Sequence, residues 1–307
     1  MKTSIVNNYL KSIHKLCSDG VSNERMSNYF KNLSEKYQSI CYDNFILWFI
    51  FADSIILIAI LYHLYGNTVP EYLLSGFIIS LICAEIIHTR YEQINQLNKS
   101  LENLYEKNLL NVSVKPIPVK RNLYSMFLEF TRGNYDNKIE RVNRAKDDSF
   151  ELIRYHWVTK NYLYESKTNN YNIQYNDFYR DCIVFETNIY DNIWVQSLPI
   201  YDGGITWNTT YEKSNKNFKI KCNQELAAAK VLTPPIVLHI DEMSNIINDL
   251  NLEFRNNGIL LISMADGSLR TNVKISVDNL SEVAKTFGTG KNHTLELILK
   301  LKELLKK

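Results

Sequence analysis

Two long apolar segments stand next to each other in this chain, and they constrain its fold more than any other feature. They run from Phe45 to Tyr65 and from Tyr72 to His88, with the polar hexapeptide Gly66–Glu71 between them. As helices they span about 31 Å and about 25 Å, against a bilayer hydrocarbon core of about 30 Å. The sequence therefore predicts a transmembrane hairpin.

A soluble protein with two buried helices is the alternative, since a core helix can be apolar on every side. The rest of the chain argues against it. Outside the two segments the sequence is strongly polar, and the mean hydropathy of -0.24 averages two different regimes. Residues 1–44 carry charges throughout and contain no short apolar region followed by small residues. We therefore expect the first span to be a retained anchor.

Basic residues lie close to both outer ends of the hairpin. Lys31 and Lys36 precede the first segment, Arg90 and Lys99 follow the second, and the Gly66–Glu71 loop carries no lysine or arginine. Cytoplasmic flanks of membrane helices are enriched in these residues. We predict a two-span protein of the cell membrane, with the lipid bilayer as one partner and both termini in the cytoplasm.

A stripe of small residues predicts how the two helices pack. Gly76, Ser80 and Ala84 recur at four-residue spacing, which lets another helix backbone approach closely. Asp53 lies about 12 Å from the cytoplasmic end of its helix, at about the depth of Ser80, so we expect these two side chains to form a hydrogen bond. A carboxyl group at this depth is also a functional candidate. A packing role and an ion-linked or proton-linked role are both open.

Apolar residues at heptad spacing flank the hairpin on both sides. Phe30, Leu33, Tyr37 and Ile40 precede it, and Ile94, Leu97, Leu101 and Leu104 follow it. This pattern predicts an antiparallel coiled-coil stalk, which offers a surface for a protein partner or for homo-oligomers. The repeats are short. Packing against a first amphipathic helix that carries Ile5, Tyr9, Ile13 and Leu16 is the alternative.

Two prolines separate the membrane unit from the rest of the chain. Pro116 and Pro118 stop a helix and favour an extended backbone. We place a helical membrane-anchor unit at 1–110, a linker at 111–121 and a cytoplasmic domain at 122–307, which is long enough to fold without its anchor. The domain is expected to begin with helices, in which the charged stretch Lys138–Asp148 forms a solvated face and leads to Phe150, Ile153 and Trp157.

Strand composition begins near Tyr171, where aromatic and β-branched residues alternate with Asn, Asp and Gly clusters. The strand candidates are 182–187, 193–197, 205–210, 218–222, 259–264 and 272–277. The last two are expected to form a hairpin whose turn contains Asp266 and Gly267. An amphipathic helix over Thr294–Lys307 closes the chain. The predicted fold class is α+β with a mainly antiparallel sheet.

Motifs for catalysis and for metal binding are missing from the sequence. The cysteines are odd in number and include no Cys-x-x-Cys pair, which fits a reducing compartment. No two histidines lie four residues apart, and Gly288–Asn292 lacks the residues of a Walker loop. We expect no metal, no cofactor and no catalytic residue. The net charge of +2 gives no reason to expect nucleic acid as a partner.

The run from Phe218 to Pro234 carries a family resemblance. It is followed by an amphipathic helix and by the run from Leu260 to Gly267. With two adjacent spans and a C-terminal α+β domain, this order resembles the bacterial family known as Domain of Unknown Function 3137. The family usually has an acidic residue and an arginine near the positions of Gln224 and Ala229. The resemblance implies a shared layout and transfers no catalytic residues.

From these observations we expect a membrane-anchored cytoplasmic binding or scaffold module. Two other classes are open. One is a membrane-bound enzyme whose site is assembled only by the fold, and the other is a transporter or channel accessory that uses Asp53. An enzyme should contain a concave pocket with convergent titratable side chains, whereas a binding module should present an exposed apolar or charged surface.

Overall fold

The computed structural model of the chain describes residues 2–65, 70–113, 116–119, 123–165, 170–271 and 273–306. These residues form two compact units. The first contains Met1–Asn108 and Val273–Gly290, and the second contains Leu109–Asn272 and Lys291–Lys307. The division lies close to the expected boundary at residue 110. It differs for Val273–Gly290, which the sequence assigned to the C-terminal domain and which belongs to the first unit.

The helices are as follows in chain order: α1 (Thr3–Ser18), α2 (Asn23–Ser34), α3 (Phe45–Tyr65), α4 (Pro70–Leu109), α5 (Leu123–Met126), α6 (Glu212–Asn217), α7 (Glu225–Val231), α8 (Pro234–Ser244), α9 (Leu280–Thr289) and α10 (His293–Leu304). A short 3-10 helix spans Leu128–Thr131. The strands are β1 (Asp136–Arg144), β2 (Glu151–Glu165), β3 (Asn170–Glu186), β4 (Ile193–Gln196), β5 (Ile205–Thr206), β6 (Lys219–Cys222), β7 (Asn251–Arg255) and β8 (Ile259–Ala265). The predicted α+β class is confirmed.

The first unit is helical, and α9 packs in it against α2. The apolar face of α9 is buried at Leu280, Val283, Ala284 and Phe287. The Phe287 ring stacks on Phe30 at a centroid distance of 6.2 Å and meets Tyr105 edge-on at 5.3 Å. These aromatic contacts explain why a segment far along the sequence belongs to the first unit.

The expected coiled-coil stalk is wrong on its first side. α2 ends at Ser34, and residues 35–44 form no helix. The buried Ile40 instead donates its backbone N–H to the carbonyl of Val277 at 2.9 Å, so the Phe30–Ile40 seam does not lie on one helix. On the second side the helix does continue, because α4 runs to Leu109.

The two helices α3 and α4 are long and apolar enough to cross a membrane. Between Phe45 and Leu64 the one buried residue is Ser54, and the large apolar side chains of α3 are exposed. This pattern differs from that of a soluble core helix, which buries its apolar residues. The first four residues of the expected loop Gly66–Glu71 lie outside the described residues.

In the second unit, eight strands within the described residues form one sheet in the order β1-β2-β3-β8-β7-β4-β6-β5. Every neighbouring pair is antiparallel. One face of the sheet packs against a large apolar core that includes residues of α8 and α10. The other face carries a smaller core, which Phe127 and Phe130 cover. Part of the expected linker lies along the edge of the sheet, where Ile117 bridges to Val142 of β1 and Val112 bridges to Ala145, just after β1.

The helix expected over Lys138–Trp157 is wrong. This range covers most of β1 and the beginning of β2. The apolar side chains of β1 face inward on either side of a bulge between Ile139 and Arg141: Ile139 pairs with Tyr155, and Val142 pairs with Ile153. All four side chains are buried in the smaller core. The charges therefore mark the solvent side of an edge strand and not of a helix.

The hairpin expected at Asp266 and Gly267 is also wrong. β8 pairs with β7 through a turn in which Gly258 has a φ of 76°. Asn272 lies outside the described residues, and Val273–Val277 forms no strand. The backbone N–H groups of Ile275 and Val277 instead donate to side chains of α4 in the first unit. The strand expected over residues 205–210 is reduced to β5.

The Gly288–Asn292 segment serves as a helix boundary. The Asn292 side chain accepts a hydrogen bond from the Leu295 backbone N–H at 2.9 Å, which caps α10. Its amide also donates to the carbonyl of Leu269 at 2.8 Å. Both polar atoms of this side chain therefore have structural partners.

We expect Phe287→Ala to destabilise the full-length protein by about 3–5 kcal/mol, because it removes a buried ring from the interface of α9 with α2. Denaturant unfolding followed by circular dichroism measures this loss. Lys285→Ala is the matched control, since Lys285 is exposed on the same helix. Equal effects of the two variants would mean that α9 does not pack in the first unit.

Candidate functional site

The two longest strands of the sheet extend beyond their neighbours. β2 and β3 pair without a break, from the pair Glu151–Val184 to the pair Glu165–Asn170. β1 pairs with β2 only as far as Val158, and β8 pairs with β3 only from Arg180 onward. We call the part beyond both points, where only β2 and β3 pair, the ribbon; it comprises residues 159–165 and 170–176.

One face of the ribbon, which we call the tyrosine face, is rich in exposed aromatic residues. Cross-strand pairs on this face are Lys160 with Tyr175, Tyr162 with Ile173, and Tyr164 with Tyr171. Tyr135, which precedes β1, extends the face. Its five tyrosines and Ile173 are between 48% and 67% exposed. Isolated exposed apolar residues are normal in proteins, whereas a contiguous exposed set on one strand pair is unusual and makes this face the candidate site.

The side chains of the tyrosine face contact one another. The Tyr135 and Tyr175 rings lie 4.9 Å apart between centroids, and the Tyr164 and Tyr171 rings lie 5.3 Å apart. The Lys160 ammonium group lies over three rings, at 5.1 Å from that of Tyr162, 5.7 Å from Tyr135 and 6.0 Å from Tyr175. A hydrogen bond with Tyr162 raises the pKa of Lys160. The lysine is therefore charged at neutral pH and held among the rings.

The opposite face of the ribbon has a different composition. Because side chains alternate along a strand, it carries Thr159, Asn161 and Leu163 from β2, and Asn172, Gln174 and Asn176 from β3. Apart from Leu163 these side chains are polar, and we call this surface the amide face. The two faces of the ribbon therefore differ in composition, and only the tyrosine face is rich in exposed aromatic rings.

The root of the ribbon is fixed by stacked aromatic rings. The Trp157 ring stacks on Tyr155 at 5.5 Å and on Phe178 at 5.4 Å. The Arg132 guanidinium group lies 5.7 Å from the Trp157 ring. Gly133 has a φ of 92°, and a Cβ atom there would lie 3.0 Å from the Val158 carbonyl oxygen. The chain before β1 therefore packs closely on the root.

A buried ionic network underlies this root. Glu129 and Arg180 are nearly inaccessible to solvent, and Arg180 Nε lies 2.9 Å from Glu129 Oε1. The contact is an ion pair without hydrogen-bond alignment. Arg132 Nε donates to the same oxygen at 2.5 Å, and the Arg180 guanidinium also donates to the Asp249 carbonyl and to Ser263 Oγ. Charge pairing and hydrogen bonds together compensate the burial of these groups.

Glu253 extends the network to the short 3-10 helix. Its carboxyl oxygens accept hydrogen bonds from the backbone N–H groups of Leu128 at 2.9 Å and Glu129 at 3.3 Å. Trp194 Nε1 and an Arg255 guanidinium nitrogen donate to it at 3.2 Å each. Burial raises the pKa of Glu253 despite these donors. The carboxyl group anchors the 3-10 helix to the sheet.

A cavity of about 620 Å³ in the second unit is the best candidate for a catalytic pocket, and its lining includes Arg144, Ser149, Glu151 and Lys302. Arg144 pairs with Glu151 at 3.1 Å. Lys302 Nζ donates to the backbone carbonyl of Ser149 at 2.5 Å, not to its hydroxyl group.

Asp147 and Lys302 lie near Ser149, but neither is suited to act as the general base that would activate its hydroxyl group. Hydrogen bonds with Ser149 lower the pKa of Asp147, which makes this carboxylate a weak base. Burial lowers the pKa of Lys302, but its nitrogen is engaged with the backbone. Within the part of the chain that the structure describes, no group of three or more His, Cys, Asp or Glu residues is placed to hold a metal ion.

The predicted packing residues of the helical hairpin have different positions. Gly76 and Ser80 are buried, and Ala84 is half-buried. A Cβ atom at Gly76 would lie 2.8 Å from the Ile58 side chain, so α3 approaches α4 closely there. The expected bond between Asp53 and Ser80 is replaced by one between the hydroxyl groups of Ser54 and Ser80 at 2.6 Å. Asp53 is exposed, because it is one residue, or about 100°, away from the interface on the helix.

Comparisons with protein-family models, curated proteins and solved structures find no match to this chain. The candidate site therefore rests on its own geometry.

The tyrosine face was not among the sequence predictions, although a signal for it exists. Tyr171, Ile173 and Tyr175 alternate with amide residues, and Tyr162 and Tyr164 stand two residues apart. This is the two-residue period of a strand. The expectation of a helix up to Trp157 hid the fact that residues 159–164 continue a strand that pairs with Tyr171–Tyr179.

We expect Glu253→Gln to change the pH dependence of unfolding. A raised native pKa means that the folded protein binds the carboxyl proton more tightly than the unfolded chain does. This contribution to stability is fully present below the ordinary carboxyl pKa of about 4.3 and is lost as the pH rises through the native value. Relative to wild type, the variant should therefore gain thermal stability as the pH rises over this range.

Thermal unfolding of the full-length protein at a series of pH values measures this difference. Glu225→Gln is the control, because Glu225 is exposed and should behave as wild type. A pH-independent difference between Glu253→Gln and wild type would contradict the raised pKa.

Proposed function

We propose that the protein is a two-span protein of the bacterial cell membrane, with both termini in the cytoplasm, and that its second unit binds a protein partner through the tyrosine face. The single observation that carries the binding function is the exposed, one-sided tyrosine face of the ribbon. Tyrosine supplies large and rigid contact area together with a polar group, which suits protein recognition.

The membrane part of the proposal is supported by the exposed apolar surface of α3. Phe45, Ile46 and Leu64 are at least 64% exposed, an arrangement that is unfavourable in water and favourable in lipid. The basic residues Arg90 and Lys99 and the lack of lysine or arginine in the connecting loop support cytoplasmic termini.

Family membership is part of the proposal. The order β6, α7, α8 over residues 219–244 supports the resemblance to Domain of Unknown Function 3137. The Asp-Gly hairpin of that layout is not formed here, since Gly267 is followed by no strand within residues 268–271 and 273–277. The resemblance adds no activity to the binding function.

Cysteine labelling tests the topology. In a Cys41→Ser background, which removes an exposed cysteine, we expect an impermeant maleimide to label Asn67→Cys in intact cells and to miss Gln174→Cys. Position 67 lies outside the described residues and is chosen from the sequence. Both variants should stay in the membrane after alkaline extraction. Labelling at position 174 in intact cells, or release by alkali, would overturn the membrane assignment.

Photo-crosslinking tests the binding face. We expect p-benzoylphenylalanine in place of Tyr162 to form covalent protein adducts in cells, because this side chain projects from the tyrosine face. The same group in place of Asn161, which is adjacent but projects from the amide face, is the matched control and should form none. Absence of adducts from position 162, or equal adducts from both positions, would contradict binding through this face.

A further inference from the structure

The tyrosine face has the area and the composition of half of a symmetric interface. At about 200 Å² for a whole aromatic side chain, its five tyrosines and Ile173 leave roughly 600 Å² exposed on each copy. Two such faces together bury roughly 1,200 Å², which is the lower limit for specific and stable protein interfaces.

From this we infer that the partner of the tyrosine face is a second copy of the same chain, bound face to face about a two-fold axis. This inference rests on the proposed binding function and names its partner. The axis lies in the plane of the interface and crosses the strands at the Tyr162–Ile173 pair.

The order of the cross-strand pairs makes the face self-complementary about this axis. Tyr162 and Ile173 meet their own copies, and the Tyr164–Tyr171 pair of one chain covers the Lys160–Tyr175 pair of the other. Tyr171 therefore meets Tyr175 of the other chain, and Tyr164 meets Lys160. Such isologous contacts are the usual way in which homodimers form.

The one cation of the face fits the same arrangement. Lys160 lies two residues from the axis, so the two copies of it are about 13 Å apart along the strands at 3.3 Å per residue. At that distance their repulsion in an aqueous rim is small. Each lysine gains a further ring from the other chain, in addition to the rings of Tyr135, Tyr162 and Tyr175 that it already contacts.

The charge near the face argues against two other occupants, single-stranded nucleic acid and an anionic lipid surface. A single lysine offers little attraction for phosphate groups, and the Asp177 side chain beside it is 61% exposed. Single-stranded nucleic acid requires a positively charged groove, and anionic lipid surfaces attract clusters of lysine and arginine.

An exposed carboxyl group in the first unit gives independent support. Asp53 lies within α3 and is exposed in the single chain. Carboxyl groups inside a membrane almost always face protein or water. If α3 spans a membrane as proposed, self-association gives Asp53 a protein neighbour that the single chain lacks.

The experiment uses the full-length protein in detergent and measures its mass by light scattering over a concentration series. We expect a monomer–dimer equilibrium, and we expect the double variant Tyr162→Ser/Ile173→Ser to raise its dissociation constant at least about tenfold. The control is the double variant Asn161→Ser/Gln174→Ser, whose positions are adjacent in sequence to Tyr162 and Ile173 but lie on the amide face. This control should leave the dissociation constant unchanged. All four positions are exposed, so these variants should fold, which circular dichroism checks.

Crosslinking tests the position of the axis. In the Cys41→Ser background, a short bismaleimide should join Ile173→Cys into a covalent dimer and should not join Gln174→Cys. A monomer at every concentration, equal weakening by both double variants, or equal crosslinking at both positions would overturn the inference.

The outcomes separate this inference from the binding function on which it rests. Adducts from position 162 in cells together with a monomer in detergent would mean that the face binds a different protein. Retention of the monomer by vesicles with anionic lipid, or by single-stranded DNA, would identify one of the other occupants and overturn the inference. A monomer in detergent together with no adducts from position 162 in cells would contradict the binding function itself.

Discussion

The buried ion pair between Glu129 and Arg180 holds together the parts on which the tyrosine face depends. Arg180 is the residue at which β3 gains its pairing with β8, and Glu129 belongs to the 3-10 helix over the smaller core. Removal of one partner would leave a buried charge uncompensated, at a cost of about 3–5 kcal/mol. The pair thus fixes Arg180 on the inner side of the sheet. Since a slip by one residue exchanges the faces of a strand, this position also determines that Tyr171, Ile173 and Tyr175 lie together on the other side.

The ribbon is exposed on both faces, yet only one of them is apolar. Each tyrosine can keep its hydroxyl group in water while its ring packs on a neighbour, which limits the unfavourable exposure. On the opposite face Asn172 and Gln174 are exposed and polar, and Leu163 is the one apolar residue. This asymmetry restricts association to one orientation.

Sequence patterns predicted elements whose period was long and regular. The apolar run Phe45–Tyr65 coincides with α3, because one residue class repeats over the whole helix. Lys138–Asp148 was misassigned, because charges on an edge strand resemble those on a helix when its pairing partner is unknown. The bond to Ser80 was expected from Asp53 and is formed by Ser54, one position further along. Depth in the helix predicted the partner, but depth does not determine which face of the helix a residue occupies. The pairing of residues 159–164 with 171–176, which creates the tyrosine face, depends on register, and no local pattern specifies register.

Anchoring and a small interface complement each other in the proposed protein. A face of roughly 600 Å² on each copy supports only modest affinity in free solution, because association costs translational and rotational freedom. Chains held by two spans in one bilayer have already lost part of that freedom, and their effective concentration is correspondingly high. A binding surface made of few rings is then sufficient. In the proposed dimer the exposed Asp53 would also gain a protein neighbour, which a carboxyl group within a membrane favours.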